Sequence, residues 1–303
     1  MIETRGLTKR YGGLTAVDEL TFDVRPGLVT ALLGRNGAGK STTLRLALGL
    51  DRPTAGTVRI SGRDYTDLPE PLRTVGAHLD SSGAHGGRTA RDHLRWLAAS
   101  NRIPRQRVET VLDLVDLGSV ADRRVRGFSL GMRQRLGLAA ALIGDPQVLL
   151  LDEPTNGLDA EGIRWLRTFL RELAAEGRTV LVSSHLMAEV ARTADRLIVV
   201  ARGRLVADAP LREFLDLHAE RRLRVRTAEG DRLRTLLAAR GARVVVAPDG
   251  VLCVTGVDAE EVGAVAHEYS VTLRELALDE RSLEEVFLAL TGEADTARDG
   301  RAS

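Results

Sequence analysis

Gly34-Arg35-Asn36-Gly37-Ala38-Gly39-Lys40-Ser41 is the stretch that most narrows what this chain can fold into. It fits the pattern G-x-x-x-x-G-K-[ST]. It follows an apolar run, Val29-Thr30-Ala31-Leu32-Leu33, and leads into Lys40 to Gly49, which has helical periodicity. A buried strand, a glycine-rich turn and a helix are therefore expected in that order. The glycines let the backbone turn tightly with its N–H groups directed inward, and the helix N-terminus adds positive potential there. Such a turn holds phosphate oxygens, with Lys40 reaching the terminal phosphates and Ser41 offering a hydroxyl to Mg²⁺.

The same strand–helix alternation continues to about residue 210. Val148 to Leu151, Thr179 to Val182 and Leu197 to Val200 read as buried strands. Ala160 to Ala175, ended by Gly177, and Leu186 to Thr193 read as helices. Continuous apolar strands separated by helices imply a mainly parallel sheet covered on both faces. Between residues 85 and 145 the pattern changes to helices alone: His93 to Ser100, Gln106 to Leu117 and Gly131 to Ile143. After Pro210 it restarts as strand Leu223–Arg226, helix Asp231–Arg240, strands Arg243–Ala247 and Val251–Thr255, helix Ala259–Tyr269 and strand Val271–Ala277. That β-α-β-β-α-β order suggests a ferredoxin-like domain. A last helix is expected to open with a capping box of Ser282 and Glu285. The boundaries read as 1–215 for the first domain, 216–292 for a small α+β domain and 293–303 for a tail without apolar pattern.

The strand Val148-Leu149-Leu150-Leu151 ends in Asp152-Glu153. Strand alternation points adjacent carboxylates to different sides, so one can serve a metal shell while the other faces a water. From here the chain resembles the ATP-binding-cassette (ABC) ATPases. Phe128-Ser129-Leu130-Gly131-Met132 is similar to their signature, usually Leu-Ser-Gly-Gly-Gln. Asp152 to Asp159 is similar to the second acidic motif running into the D-loop. Ser184-His185 resembles the switch histidine, and Tyr11, ahead of the first strand pair, resembles the adenine-stacking aromatic. The resemblance covers residues 2 to about 210. The fold it implies is an α/β P-loop NTPase domain of ABC type with a helical subdomain inserted at about 85–145, followed by the ferredoxin-like C-terminal domain.

The resemblance also implies a mechanism. ATP and Mg²⁺ would be held by Gly34, Asn36, Gly37, Ala38, Gly39, Lys40, Ser41 and Thr42, with the base on Tyr11. Asp152 would order the Mg²⁺ shell. Glu153 would polarise the attacking water, and His185 would contact both the γ-phosphate and Glu153. Two copies would sandwich two ATP molecules head to tail, so that Ser129, Gly131 and Asp159 act across the interface. The membrane-spanning permease would be a separate chain, and the protein would be cytoplasmic, peripheral on the inner face of the cell membrane. Relatives of this kind include drug and peptide-antibiotic exporters, which the tail Ser282 to Phe287 also resembles.

The chain departs from the family pattern in two places. One signature glycine and the terminal Gln are replaced, around Leu130 and Met132. In Val75-Gly76-Ala77-His78-Leu79-Asp80, Asp80 stands where the family has Gln. Asp80 is read as a metal-sharing catalytic carboxylate or as a plain loop acid, and the residues leave both open. The glycine-rich stretch from Ser81 to Thr89 reads equally as a moving loop or a linker.

Composition removes other functions. The formal net charge is +1, so no basic face for nucleic acid is expected, although Arg221, Arg222, Arg224 and Arg226 form a local basic edge. A soluble regulatory or nucleic-acid-linked ATPase is the alternative that the ferredoxin-like reading of residues 222–277 permits, and charge gives it little support. One cysteine, Cys253, excludes an intramolecular disulfide and Cys-rich metal sites, and it is expected to be buried. The residues after Met1 lack the apolar core of a signal peptide, and no run reaches the length of a spanning helix. Of the 43 basic residues only Lys9 and Lys40 are lysines. A lysine kept where arginine is the rule points to a place arginine does not suit.

Overall fold

The strand that precedes the glycine-rich turn lies at the heart of a six-stranded sheet in the computed structural model, which describes residues 1–79, 83–217, 222–247, 249–279, 283–288 and 290. The chain divides into two units, Met1–Arg212 and Glu213–Ala289.

The first unit opens with a hairpin of β1 (Ile2–Tyr11) and β2 (Leu14–Val24), then β3 (Val29–Leu33), α1 (Lys40–Ala47) and β4 (Ala55–Ile60). A short α2 (Pro71–Thr74) leads into β5 (Val75–His78). Three helices follow, α3 (Ala90–Ser100), α4 (Gln106–Leu114) and α5 (Leu130–Leu142), and then β6 (Val148–Asp152), α6 (Ala160–Ala175), β7 (Thr179–Ser184), α7 (Met187–Thr193), β8 (Arg196–Ala201) and β9 (Arg204–Pro210); the boundary between the units falls within α8 (Leu211–Leu217). The large sheet has the order β5-β6-β7-β3-β8-β9. Its pairs are parallel except for β8 with β9. The expected parallel sheet is therefore present. A second, antiparallel sheet of order β2-β1-β4 was not expected from the sequence. Its alternation is blurred by register shifts within the β1–β2 pairing.

Strand alternation distributes the core. Leu149 and Leu151 of β6 and Val180 and Val182 of β7 belong to a core shared with α3 to α6. Val148 and Leu150 of β6 and Leu181 of β7 belong to the opposite core, with Leu44 of α1 and Ile2, Leu7 and Phe22 of the antiparallel sheet. Residues of opposite parity on one strand thus hold the two halves of the first unit together. At about 25 cal/mol per Å² of apolar surface, each buried Leu or Val contributes roughly 1.5–3 kcal/mol. Helix α4 ends at Leu114, short of the expected Leu117. Asp116 turns left-handed at φ 55, and the Leu117 N–H closes back on the Leu112 carbonyl at 2.9 Å.

In the second unit β10 (Arg222–Thr227), α9 (Gly230–Ala239), β11 (Arg243–Val246), β12 (Leu252–Thr255), α10 (Ala259–Glu268) and β13 (Leu273–Asp279) form an antiparallel sheet of order β11-β12-β10-β13. This is the order of a ferredoxin-like fold. Leu223, Val225, Leu252 and Val254 face Leu233, Leu237, Val262 and Val265 of the two helices. Cys253 has the opposite parity, so it is half-buried rather than buried as expected. A capping box occurs at Asp258 and Glu261, which the sequence reading passed over. Ser282 of the expected box, and the tail 293–303, lie outside the described residues. Glu285 accepts from Arg222 Nη2 at 2.9 and 3.1 Å. Among the described residues no helix is long and apolar enough to cross a membrane.

Candidate active site

The carboxyl ends of β3, β7 and β6, adjacent in the sheet, carry the turn, His185 and the two acids. Gly34 follows β3 directly, and a Cβ there would come 2.6 Å from the Val200 carbonyl oxygen. Gly39 has φ +102, and a Cβ would come 2.4 Å from the Ala16 carbonyl oxygen. Only glycine meets both conditions. Gly39 is also the N-cap of α1, where no side chain caps the helix and no acid stands in its first turn. The leading N–H groups of α1 thus keep their positive potential for a ligand. Arg35, Asn36 and Gly37 are exposed and Ala38 is buried. Ser41 is exposed and Thr42 half-buried. Lys40 is 6% exposed, and its Nζ donates to the carbonyl oxygens of Gly34 at 2.7 Å and Arg35 at 3.4 Å.

Asp152 and Ser183 are register partners on β6 and β7, and the Ser183 hydroxyl donates to Asp152 Oδ1. Ser183 also fixes the next residue. The Glu153 N–H donates to Ser183 Oγ at 3.0 Å and to the Ser183 carbonyl at 3.2 Å. Glu153 itself has φ +47, a left-handed conformation that costs energy for any residue with a Cβ. This turn takes the Glu153 side chain off the strand direction. Its Oε1 lies 3.2 Å from Lys40 Nζ and its Oε2 lies 2.8 Å from His185 Nδ1. An ionised carboxylate only accepts, so in this contact Nδ1 carries the proton. Lys40, Glu153 and His185, distant in sequence, thus form one continuous chain of contacts.

Ser129, Gly131 and Asp159 gather elsewhere. Ser129 is the N-cap of α5, accepting from the Met132 N–H at 3.2 Å. Asp159 is the N-cap of α6, accepting from the Gly162 N–H at 2.8 Å. The two helix starts touch. A Cβ on Gly131 would come 3.3 Å from the Gly157 carbonyl, and one on Gly157, at φ +77, would overlap the Leu130 side chain at 2.2 Å. Both starts line an open hollow with Arg123 and Arg135. Among the described residues no hydrogen bond or ion pair joins this cluster to Lys40, Asp152 or His185.

Tyr11 is the last residue of β1, inside the hairpin rather than ahead of a strand pair. Its hydroxyl donates to Asp51 Oδ2 at 3.0 Å. Partial desolvation, reinforced by Asp51, raises the phenol pKa above its ordinary value. The Arg45 hydrogen bond holds the Asp51 carboxyl below its ordinary value. Asp80 lies outside the described residues. Two residues before it, buried His78 makes a hydrogen bond from its Nε2 to Gln134 on α5, and its ring packs where a Cβ on Gly137 would be. The strand leading to residue 80 is thereby tied to the helix that Ser129 caps. Sequence reasoning missed His78, Gln134 and Ser183. The Ser183-Ser184 pair closing the apolar run Val180-Leu181-Val182 was the only available signal.

The sequence model of the family described as "ABC transporter" matches residues 17–156, and that of a "Domain of unknown function (DUF8746)" matches residues 221–284. The bacitracin transport ATP-binding protein BcrA of Bacillus licheniformis is 40% identical over 213 residues, covering 69% of this chain and 70% of that protein. The daunorubicin/doxorubicin resistance ATP-binding protein DrrA of Streptomyces peucetius is 37% identical over 306 residues, covering 96% of this chain and 92% of that protein. The DrrA alignment therefore includes the second unit, whereas the BcrA alignment is shorter. A solved dimeric ATP-binding cassette, in a post-hydrolysis state bound to ADP and Pi, is 25% identical with a TM-score of 0.64, covering 70% of this chain and 99% of that one. From its phosphate-holding turn to its relatives, the chain belongs to the ABC transporter family and is one of its ATP-hydrolysing members.

Proposed function

We propose that this chain is the ATP-binding and ATP-hydrolysing subunit of an exporter of drugs, antibiotics or peptides, and that it drives a separate membrane-spanning permease by pairing with a second copy of itself. The relatives' names support the cargo class. The observation that carries the chemistry is the contact chain from Lys40 through Glu153 to His185 at the uncapped start of α1.

The residues fit a magnesium nucleotide. The open α1 N-terminus, the Gly39 cradle and the Lys40 ammonium all suit polyphosphate. Among the described residues, no group of three or more His, Cys, Asp or Glu side chains could hold a metal by itself. Ser41 and Asp152, together with phosphate oxygens, would hold Mg²⁺, which supplies neutralisation of the phosphate charge. Asp80 remains the third candidate for that role. In turnover Lys40 exchanges Glu153 for the terminal phosphates. His185 keeps Glu153 Oε2 through its Nδ1 proton, which leaves Oε1 to take the proton of the attacking water. The water oxygen bonds to the γ-phosphorus, and ADP leaves with the electrons of the broken P–O bond. Ser129, Gly131 and Asp159 of one copy serve the nucleotide of the other, which fits their distance from Lys40 in bonding terms. The protein works at the cytoplasmic face of the membrane, and the second unit serves dimerisation or regulation.

The test is to express tagged Glu153→Gln chain in its native host, add ATP, extract the membranes gently and identify what co-purifies. A stoichiometric multi-span protein is the expected result. Soluble partners or nucleic acid alone would overturn the transport reading.

A further inference from the structure

The chain has two lysines, and the nucleotide chemistry above uses only Lys40. Lys9 stands two residues before Tyr11 on β1, a spacing that puts alternate side chains on one side of a strand. Its Nζ lies 4.8 Å from the centre of the Tyr11 ring, within range of a cation–π interaction. The same Nζ donates to the Arg52 carbonyl oxygen at 2.7 Å, which pins the ammonium over the ring. The phenol hydroxyl is held separately, by Asp51 Oδ2 at 3.0 Å. That carboxylate oxygen also accepts from Arg45 Nε at 2.7 Å, and Arg45 belongs to α1. Three segments therefore fix one tyrosine. One face of the ring is occupied by Lys9, yet Tyr11 remains 45% exposed, so the opposite face is the one left for a flat ligand.

We infer that Lys9, Arg45 and Asp51 are positioning residues that hold the Tyr11 ring ready for the adenine of ATP, and that they set how much of the binding energy comes from the base rather than from the phosphates. The inference rests on the reading of Tyr11 as the base platform. A ring fixed by its hydroxyl and one face gives up little rotamer freedom when the base stacks on it. Lysine suits the position because a compact ammonium with three donors serves the ring and the Arg52 carbonyl at once. A planar guanidinium would stack flat and spread its charge. Because Arg45 lies on the helix whose first residue is Lys40, the base platform and the phosphate lysine are anchored to one short rigid element.

The test measures binding of ATP and of inorganic tripolyphosphate to the full chain in a Glu153→Gln background, by calorimetry. Tyr11→Ala is expected to weaken ATP by roughly tenfold or more, the scale of losing one stacked base. Lys9→Met, Asp51→Ala and Tyr11→Phe are each expected to weaken ATP by roughly three- to tenfold, the scale of one cation–π contact or hydrogen bond. Tripolyphosphate binding stays unchanged in all four. Lys9→Met added to Tyr11→Ala brings no further loss. If Tyr11→Ala leaves ATP binding intact, the base lies elsewhere, and the platform reading falls together with the clamp. If Tyr11→Ala weakens ATP but Lys9→Met and Asp51→Ala do not, the clamp alone is wrong. Equal losses for ATP and tripolyphosphate would also overturn it, because the residues would then act on fold or charge and not on the base.

Discussion

The two ends of the cassette are built differently. Around Lys40 the lysine and the acids are partnered within the chain: Lys40 has Gly34 and Glu153, Glu153 has His185, and Asp152 has Ser183. Around Ser129 the polar groups cap their own helices, and the assembly faces an open hollow. The first arrangement is a network of contacts closed within one chain. The second is a surface that holds its shape without closing on anything. In the proposed cycle the two ends meet through a second copy, and the contrast separates variants expected to harm one ligand site from variants expected to harm the pairing.

The sharpest test of the contrast lies at the closed end. Glu153→Gln should lower hydrolysis by about a hundredfold or more, as expected for loss of a general base. Nucleotide binding should persist, and ATP-dependent pairing should appear in gel filtration. Lys40→Ala should instead remove binding itself, read by calorimetry. At the open end, Gly157→Ala forces a side chain into a φ +77 turn and against Leu130. It should cost about tenfold or more in turnover, by misplacing the two helix starts, while the affinity of the single chain for ATP stays within roughly twofold. Leu130→Ala in that background should return part of the rate. Ser129→Ala removes the cap of α5 and should lower stability by about 1 kcal/mol in denaturant unfolding, again with ATP affinity unchanged. The smallest effect belongs to the helices between the two ends. Burial, with help from Arg88, holds His93 below the ordinary histidine value of 6.5. The unfolded chain then binds a proton that the folded chain refuses. Stability should be complete above pH 6.5 and decline as the pH falls through the folded value, and His93→Leu should flatten that slope in pH-dependent unfolding.

What the sequence made legible was contiguous. The turn from Gly34 to Ser41 states its own structure, because glycine spacing, the preceding apolar run and the following helical pattern are neighbours in the chain. Buried parallel strands and the β-α-β-β-α-β order of the second unit were readable for the same reason. The contact of His185 with Glu153 followed from resemblance; the Lys40 contact did not, and the left-handed turn at Glu153 that makes it is signalled by nothing but the serine pair at the end of β7. The antiparallel β2-β1-β4 sheet was missed because the β1–β2 hairpin is irregular in register and β4 joins it only after β3 and α1. The contacts around Tyr11 were missed because residues 9, 45 and 51 are joined only once that sheet and α1 are in place.

The scarcity of lysine has a practical side. One of the two ε-amines lies over the Tyr11 ring and the other in the glycine-rich turn. A sample grown with lysine marked at the ε-nitrogen would give two side-chain signals, one for each end of the nucleotide in the proposed reading. Base contact and phosphate contact could then be followed separately during a single titration, in a protein carrying no foreign label.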